Sequence, residues 1–459
     1  MSAIVQLIPP TQFAKGRPSG RFSFAFGRRF YLLLFIGLIW IGPGWADPRY
    51  LYAILAWDAC VLLLWLLDYR RLPRPEQVAV SRIWSAPLQL SGTSVVALEV
   101  RSSAQTSLSL QLTDHVPAAM RAESPEMEMA VTRGEKARAE YSVLPRERGD
   151  IRLGNVTLRY QSPWRIAERW ATVALPQTVR IYPNLEESKR DTIFLIRSRQ
   201  IALEKRHKHL PGQGREFESL REYRETDEWR DICWSATARR GKIISKSYQV
   251  ERSQTVWLVL DAGRLLRTRV RGLSKLDYAV NAALSLAQVA LYSGDRVAML
   301  AYGRRVQQRL PAGRGSAHVR ALMEGLSQVR GEELEADHAR AAQALYTFQK
   351  RRSLVVWLTD LSETATTPEV IECASRIAHR HLVLFTVIGQ PELRELLAER
   401  PETDREMFHY VAAQEIVLRR DLLLRTLRKQ GALTLEVEPS KLSSAIVNQY
   451  LMAKERSLI

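Results

Sequence analysis

Two apolar runs in this sequence end in carboxylates. One is Thr255-Val256-Trp257-Leu258-Val259-Leu260-Asp261; the other is Leu354-Val355-Val356-Trp357-Leu358-Thr359-Asp360. A continuous apolar run of this length reads as a strand buried on both faces. Open α/β sheets build their sites outside the carboxyl ends of such strands. Asp261 and Asp360 are therefore candidates to converge on a hard divalent cation, which needs oxygen ligands. Upstream lies a dense segment, Gly212-Gln213-Gly214-Arg215-Glu216-Phe217-Glu218-Ser219-Leu220-Arg221-Glu222-Tyr223, followed by Asp227, Arg230, Ile232, Cys233, Trp234, Arg239 and Lys246. No apolar periodicity makes it ordinary core. Two readings compete. Arg221, Glu222, Asp227, Arg230 and Arg239 form a buried ion-pair network tied down by Phe217, Tyr223 and Trp234. Alternatively the segment, with Glu216 and Leu220, is a partner-docking surface.

Other chemistry is thin. His207-Lys208-His209 and His379-Arg380-His381 lack nearby ligands at zinc-type spacing. Gly212-Gln213-Gly214 lacks the preceding strand and following helix of a dinucleotide loop. No Ser/His/Asp or Cys/His arrangement is visible, so catalysis is not expected. Cys60, Cys233 and Cys373 are far apart and form no disulfide framework, which fits a reducing compartment.

The elements that position these residues follow a membrane anchor. Phe30–Trp45 and Tyr50–Leu67 are apolar runs about as long as the minimum for crossing a hydrocarbon core. The Asp47-Pro48 break between them is a turn signal, so the expectation over 30–68 is a transmembrane hairpin. Lys15, Arg17, Arg21, Arg28 and Arg29 precede it; Arg70, Arg71 and Arg74 follow. Positive flanks stay inside, so residues 1–29 and everything after the hairpin are expected to be cytoplasmic, at the inner (cell) membrane. Asp58, inside the second run, is expected to pair with a polar group of a neighbouring helix.

Residues 76–185 carry short alternating stretches, such as Val95–Val100 and Val156–Tyr160, separated by turn residues; this spacing predicts a small β-sandwich. Residues 186–253 hold the dense segment. From 254 to 459 strands alternate with helices, which predicts a mostly parallel sheet covered on both faces. A chain of 459 residues is expected to hold two or three domains, and 46% apolar residues suffice for their cores. The net charge of +18 points to anionic lipid or an acidic partner. No nucleic-acid motif accompanies it, so nucleic acid is not expected.

The placement of Asp261 and Asp360 resembles the von Willebrand factor A fold. That resemblance implies a magnesium-type ion held by Asp-x-Ser-x-Ser after the first strand, a loop threonine, and an Asp after the fourth strand. Here the first motif is Asp261-Ala262-Gly263-Arg264-Leu265, with neither serine, and Arg264 is a candidate to fill the ion's place with its own charge. The dense segment, GQGREFESLREYRETDEWRDICWSATARRGK, resembles the signature of the domain-of-unknown-function-58 family. It departs from the family pattern at Thr226 and Cys233, where Gly and Asp are usual. The resemblance implies a membrane hairpin, a small β domain, a von Willebrand A-like (Rossmann-type) domain, and a MoxR-type AAA+ ATPase as partner. The expected protein is a non-enzymatic membrane-anchored adaptor. The alternative is a divalent-metal-dependent binding module using Asp261 and Asp360, with Mg2+ as cofactor.

Overall fold

A computed structural model describes residues 11–20, 23–41, 49–104, 106–132, 134–184, 216–224, 229–249, 254–361 and 368–456. The chain divides into two compact units, Met1–Asn184 and Leu185–Ile459.

The first unit is built on β1 (Phe13–Pro18), β2 (Phe24–Phe26), β3 (Val78–Trp84), β4 (Leu88–Gln89), β5 (Ser94–Ser102), β6 (Leu108–Asp114), β7 (Glu126–Val131), β8 (Lys136–Val143), β9 (Gly149–Leu153), β10 (Val156–Gln161), β11 (Ala167–Val173) and β12 (Gln177–Tyr182). Nine of these form one sheet in the order β7-β6-β10-β11-β1-β3-β5-β8, with β2 added to β11; β4, β12 and β9 form a small second sheet. The end strands β7 and β8 approach each other, so the large sheet curls toward closure. The expected β domain is formed, with its two groups of ladders, β8-β5-β3 and β11-β10-β6-β7, joined through one strand.

That strand is β1. Phe13–Lys15 pair with β3, and Gly16–Pro18 pair with β11, so one strand joins the two halves. At the handover, a Cβ on Gly16 would lie 2.5 Å from the Pro75 carbonyl oxygen, and only glycine fits. The basic segment ahead of the apolar helices is thus part of the β domain. Inside the curl, Arg82 donates to both carboxylate oxygens of Asp114 at 2.6 and 3.0 Å, and the Tyr141 hydroxyl donates to the same carboxylate at 2.6 Å. A buried ion pair whose lone pairs are used in this way is retained at little net cost.

Two helices, Arg28–Gly37 and Arg49–Arg71, grow out of this sheet's connections. The expected turn at Asp47-Pro48 lies outside the described residues. The helices pack together: Trp57 Nε1 donates to the Leu33 carbonyl at 2.8 Å, and the Trp57 ring lies against Gly37. Residues 52–71 are long and apolar enough to cross a membrane. The pair exposes Leu32, Phe35, Ile36, Leu55, Leu62 and Leu63. Asp58 is half-buried on the longer helix. That helix ends tied to the sheet: Asp68 is buried and accepts from the Ser162 hydroxyl and from the N–H groups of Ile166 (3.2 Å) and Ala167 (2.8 Å). Arg169 donates to the carbonyls of Leu72 and Pro73, with its guanidinium 4.1 Å from the centre of the Tyr69 ring.

The second unit contains the hairpin β13 (Glu216–Glu222) and β14 (Ile244–Gln249). Its main sheet is built from β15 (Thr255–Asp261), β18 (Arg296–Tyr302), β19 (Val306–Gly313), β20 (Leu354–Thr359), β21 (Leu382–Ile388) and β22 (Leu433–Val437), with the short ribbon β16 (Arg269–Val270) and β17 (Leu273–Ser274) beside it. The order is β19-β18-β15-β20-β21-β22, parallel except for the edge strand β19. The chain winds outward from β15 in one direction and then from β20 in the other. This is the doubly wound order, and its switch point lies between β15 and β20. Trp257, Val259, Val355, Trp357 and Phe385 face helices His338–Phe348, Pro368–Ala378 and Asp404–Lys429. Helices Lys275–Tyr292, Gly315–Gln328 and Leu442–Glu455 cover the other face. The expected α/β domain is formed, with carboxylates at its switch point.

Candidate functional site at the sheet's switch point

Asp261 ends β15 and Asp360 follows β20, on neighbouring parallel strands. Both are buried, as strand ends under loops must be. Each already has partners. Asp261 accepts from the Gly263 N–H through Oδ1 at 2.7 Å and from the Thr359 hydroxyl through Oδ2 at 2.7 Å. Burial pushes its carboxyl above the usual range, while His338, Thr359 and the Gly263 amide oppose that rise.

Asp360 meets two internal cations. Lys275 Nζ donates to its Oδ2 at 2.5 Å, with both side chains almost wholly removed from water. Arg420 Nη2 lies 3.5 Å from its Oδ1, while Arg420 Nη1 donates to Glu436 at 3.1 Å. Burial pulls the Lys275 amine below its ordinary value, and Asp360 holds it up. Local structure explains how a lysine arrives there. Ser274 and Asp277 form a reciprocal capping box, which starts the helix at Lys275. Helical side chains lean back toward the N-terminus, and this one leans onto the sheet's end.

These residues do not fit a divalent ion. An ammonium group stands on one carboxylate, a guanidinium flanks it, and the second carboxylate is committed to a hydroxyl and an amide. A Cβ at Gly263 would come within 2.8 Å of the Ala336 amide nitrogen, so the loop itself is closed down. Among the described residues no group of three or more His, Cys, Asp or Glu is arranged to hold a metal. The expected role of Arg264 is corrected: it is largely exposed and pairs with Glu335 at 3.5 Å, and the internal charge comes from Lys275 and Arg420.

Beside the carboxylates runs a polar chain. Trp357 Nε1 donates to the Tyr302 hydroxyl at 2.7 Å, and that hydroxyl shares a 2.8 Å hydrogen bond with His338 Nδ1. Burial raises Tyr302 well above the usual phenol value, so it stays a neutral hydrogen-bonding group. Asp261, Lys275, Tyr302 and Trp357 each have a hydrogen-bond partner within the site, an arrangement suited to rigidity.

Lys275 and Arg420 each carry a signal in the sequence. A cation in a helix's first turn opposes the helix dipole, and Lys275 is such a residue. Arg420 shares the spacing of Ala413, Leu423, Leu424 and Leu427, which is the buried face of its helix. His379 and His381 do not form a ligand pair. His379 is exposed, whereas His381 is buried with Nδ1 3.0 Å from the Ser353 hydroxyl. His207 and His209 lie outside the described residues.

The signature segment folds as the β13–β14 hairpin and the short helix Trp234–Arg240. Glu216, Phe217, Leu220, Arg221 and Glu222 lie on β13, with Tyr223 just beyond. Glu222 pairs with Lys242 at 3.1 Å on the surface. Arg239 is exposed. Asp227 and the side chain of Arg230 lie outside the described residues. Ile232 is buried and bridges to Ser245. The aromatics face outward: Trp229 is 74% exposed, Trp234 67%, and Leu220 and Ile243 join them. The Trp229 and Tyr223 rings are 6.1 Å apart.

Comparison with known proteins gives uncharacterized relatives. An uncharacterized protein of Mycobacterium tuberculosis (strain ATCC 25618 / H37Rv) is 26% identical over 189 residues, 41% of this chain. An uncharacterized protein of Mycobacterium bovis aligns with the same figures. The chain spans 59% of the length of these curated relatives. Among solved structures, the conserved hypothetical protein BatB from Bacteroides thetaiotaomicron aligns at 14% identity and a TM-score of 0.32, covering 44% of this chain and 100% of that one. The SpRpn10 VWA domain aligns at 13% and 0.26, covering 43% and 95%. The family model described as "Protein of unknown function DUF58" matches residues 219–407. That segment, which holds most of the signature hairpin, Lys275 and both switch-point aspartates, is where the chain is similar to the DUF58 family.

Proposed function

We propose that this protein is a membrane-anchored, non-enzymatic adaptor. Its cytoplasmic von Willebrand A-like domain works with a MoxR-type AAA+ ATPase in protein assembly, maturation or envelope function. The observation that carries this reading is the outward-facing Trp229, Trp234, Leu220 and Ile243 on the signature hairpin. Tryptophans are enriched among the residues that dominate binding energy at protein interfaces, and two of them stand exposed within this one segment. The engagement of both switch-point carboxylates by protein groups supports the same view, since recognition then rests on protein surface and not on a bridging ion. The anchor is read from the apolar helix pair. Its two ends feed one β sheet, which is consistent with a hairpin whose ends share a side of the membrane. The basic flanks support the cytoplasmic side.

The test is binding of the full-length protein, in detergent or nanodiscs, to a purified MoxR-type ATPase from the same genome. We expect saturable binding that survives chelation and weakens at least about tenfold when Trp229 and Trp234 are both changed to Ala. No binding in any nucleotide state would remove the ATPase from the proposal. Binding abolished by EDTA would restore the metal-dependent alternative.

A further inference from the structure

Helix Asp404–Lys429 has two apolar faces. Ala413, Leu423, Leu424 and Leu427 are buried against its own domain. Met407, Phe408, Val411, Leu418 and Leu422 lie on the opposite side and are exposed, Phe408 at 77%. The exposed face has a seven-residue rhythm. Asp404, Val411, Leu418 and Arg425 form one series; Phe408, Glu415, Leu422 and Lys429 form the other. Two such interleaved series make a seam that mates with another helix.

We propose that this seam is the interface of an antiparallel homodimer, its occupant being the same helix of a second copy of this chain. The argument is charge and symmetry. The seam is acidic at its start, at Asp404, and basic at its end, at Arg425 and Lys429. Consider a two-fold axis passing between Ile416 and Val417. It sets Asp404 of one copy against Lys429 of the other, Phe408 against Arg425, Val411 against Leu422, and Glu415 against Leu418. Every layer joins one position from each series, and every contact occurs twice, as an isologous interface requires. The ends gain ion pairs and a guanidinium over an aromatic ring. Glu415 keeps its own Arg419 as partner at the rim. A parallel, in-register pairing would instead oppose Asp404 to Asp404, Glu415 to Glu415, Arg425 to Arg425 and Lys429 to Lys429, which like-charge repulsion disfavours.

The experiment uses the full chain in nanodiscs, with Cys60, Cys233 and Cys373 replaced by Ser. The Val411→Cys, Leu422→Cys double variant should form an intermolecular disulfide under mild oxidation. Val411→Cys alone should not, because in this register the two 411 positions lie roughly 16 Å apart along the axis, well outside disulfide reach. Light scattering should report two copies per assembly. Asp404→Lys or Lys429→Asp alone should weaken the dimer about tenfold or more, and the two together should restore it. These are surface positions, so folding is not at stake. Three outcomes would each overturn the proposal: a monomer at about 50 µM, where micromolar affinity populates a dimer; cross-linking through Val411→Cys alone; or charge reversals without effect. Protection of the seam by lipid in a monomeric protein would assign it to the membrane surface instead.

Discussion

Lys275→Met should destabilise the second unit by an amount its surroundings define. The substitution keeps volume but removes the charge that faces Asp360 at 2.5 Å. Breaking a buried ion pair from one side costs about 3–5 kcal/mol, because the remaining charge stays out of water. Arg420 is still 3.5 Å from Asp360, so the low end, about 3 kcal/mol, is expected. In a unit of this size that is a fall in Tm of roughly 6–12 °C. Asp360→Asn alone strands Lys275, while Arg420 keeps Glu436, and should cost at least as much. The double variant Lys275→Met, Asp360→Asn removes the pair together and should recover most of the loss, since a buried pair is near-neutral against an uncharged replacement. Thermal unfolding of the full-length protein, followed by tryptophan fluorescence, reads this; Trp257 and Trp357 report from the sheet beneath. A Lys275→Met protein that melts like the parent would refute the reasoning. So would a double variant no more stable than the worse single one, because the two groups would then not be coupled.

Other expectations follow from the same geometry. Burial, with Arg380 adding to it, pushes His381 down to about 4, below its unfolded value of 6.5. Its contribution is therefore complete above about pH 6.5 and lost as pH falls toward 4, by roughly 1–2 kcal/mol after allowance for solvent screening; His381→Leu should flatten that part of the stability profile, and an unchanged slope would exclude the assignment. Calorimetric titration of the protein with Mg2+ or Mn2+ should show no saturable heat at low-micromolar metal, whereas a micromolar isotherm abolished by Asp261→Ala would overturn the closed switch point. Asp68→Ala leaves the N–H groups of Ile166 and Ala167 without their acceptor and should cost about 2–3 kcal/mol; hydrogen exchange at those two amides should accelerate, and unchanged protection would show that the helix end is held by other contacts.

The α/β unit was legible because its strands are continuous apolar runs. Thr255–Asp261, Leu354–Thr359 and Leu382–Ile388 are buried on both faces, and burial on both faces is what such runs record. The switch-point aspartates were legible for the same reason, since each closes a run. Their partners were not. Lys275 and Arg420 are distant in sequence from Asp360, and only the winding of the sheet brings them together. Arg264 lies close to Asp261 in sequence, yet adjacency along a loop does not decide which side chain turns inward. The curled sheet was partly legible: its strands alternate, but Phe13–Pro18 contains Lys, Gly, Arg and Pro and has no strand pattern of its own. It is a strand because β3 and β11 supply its hydrogen bonds.

That strand has a consequence for how the protein is made. Near the handover, Ser19 and Thr172 share a hydrogen bond across a sequence separation of 153. Emerging N-terminus first, β1 must wait for β11, and at about 5–20 residues per second the wait lasts on the order of ten seconds. During it the backbone of Gly16–Pro18 has no ladder, and contacts of such high sequence separation form slowly. Assembly of the β domain is therefore a closing step, in which an early segment is captured by late ones across the apolar helices. A deletion or bulky fusion within residues 13–18 would not trim a tail. It would open the sheet along its central seam and leave β3 and β11 as bare edges, the kind of edge that recruits other chains.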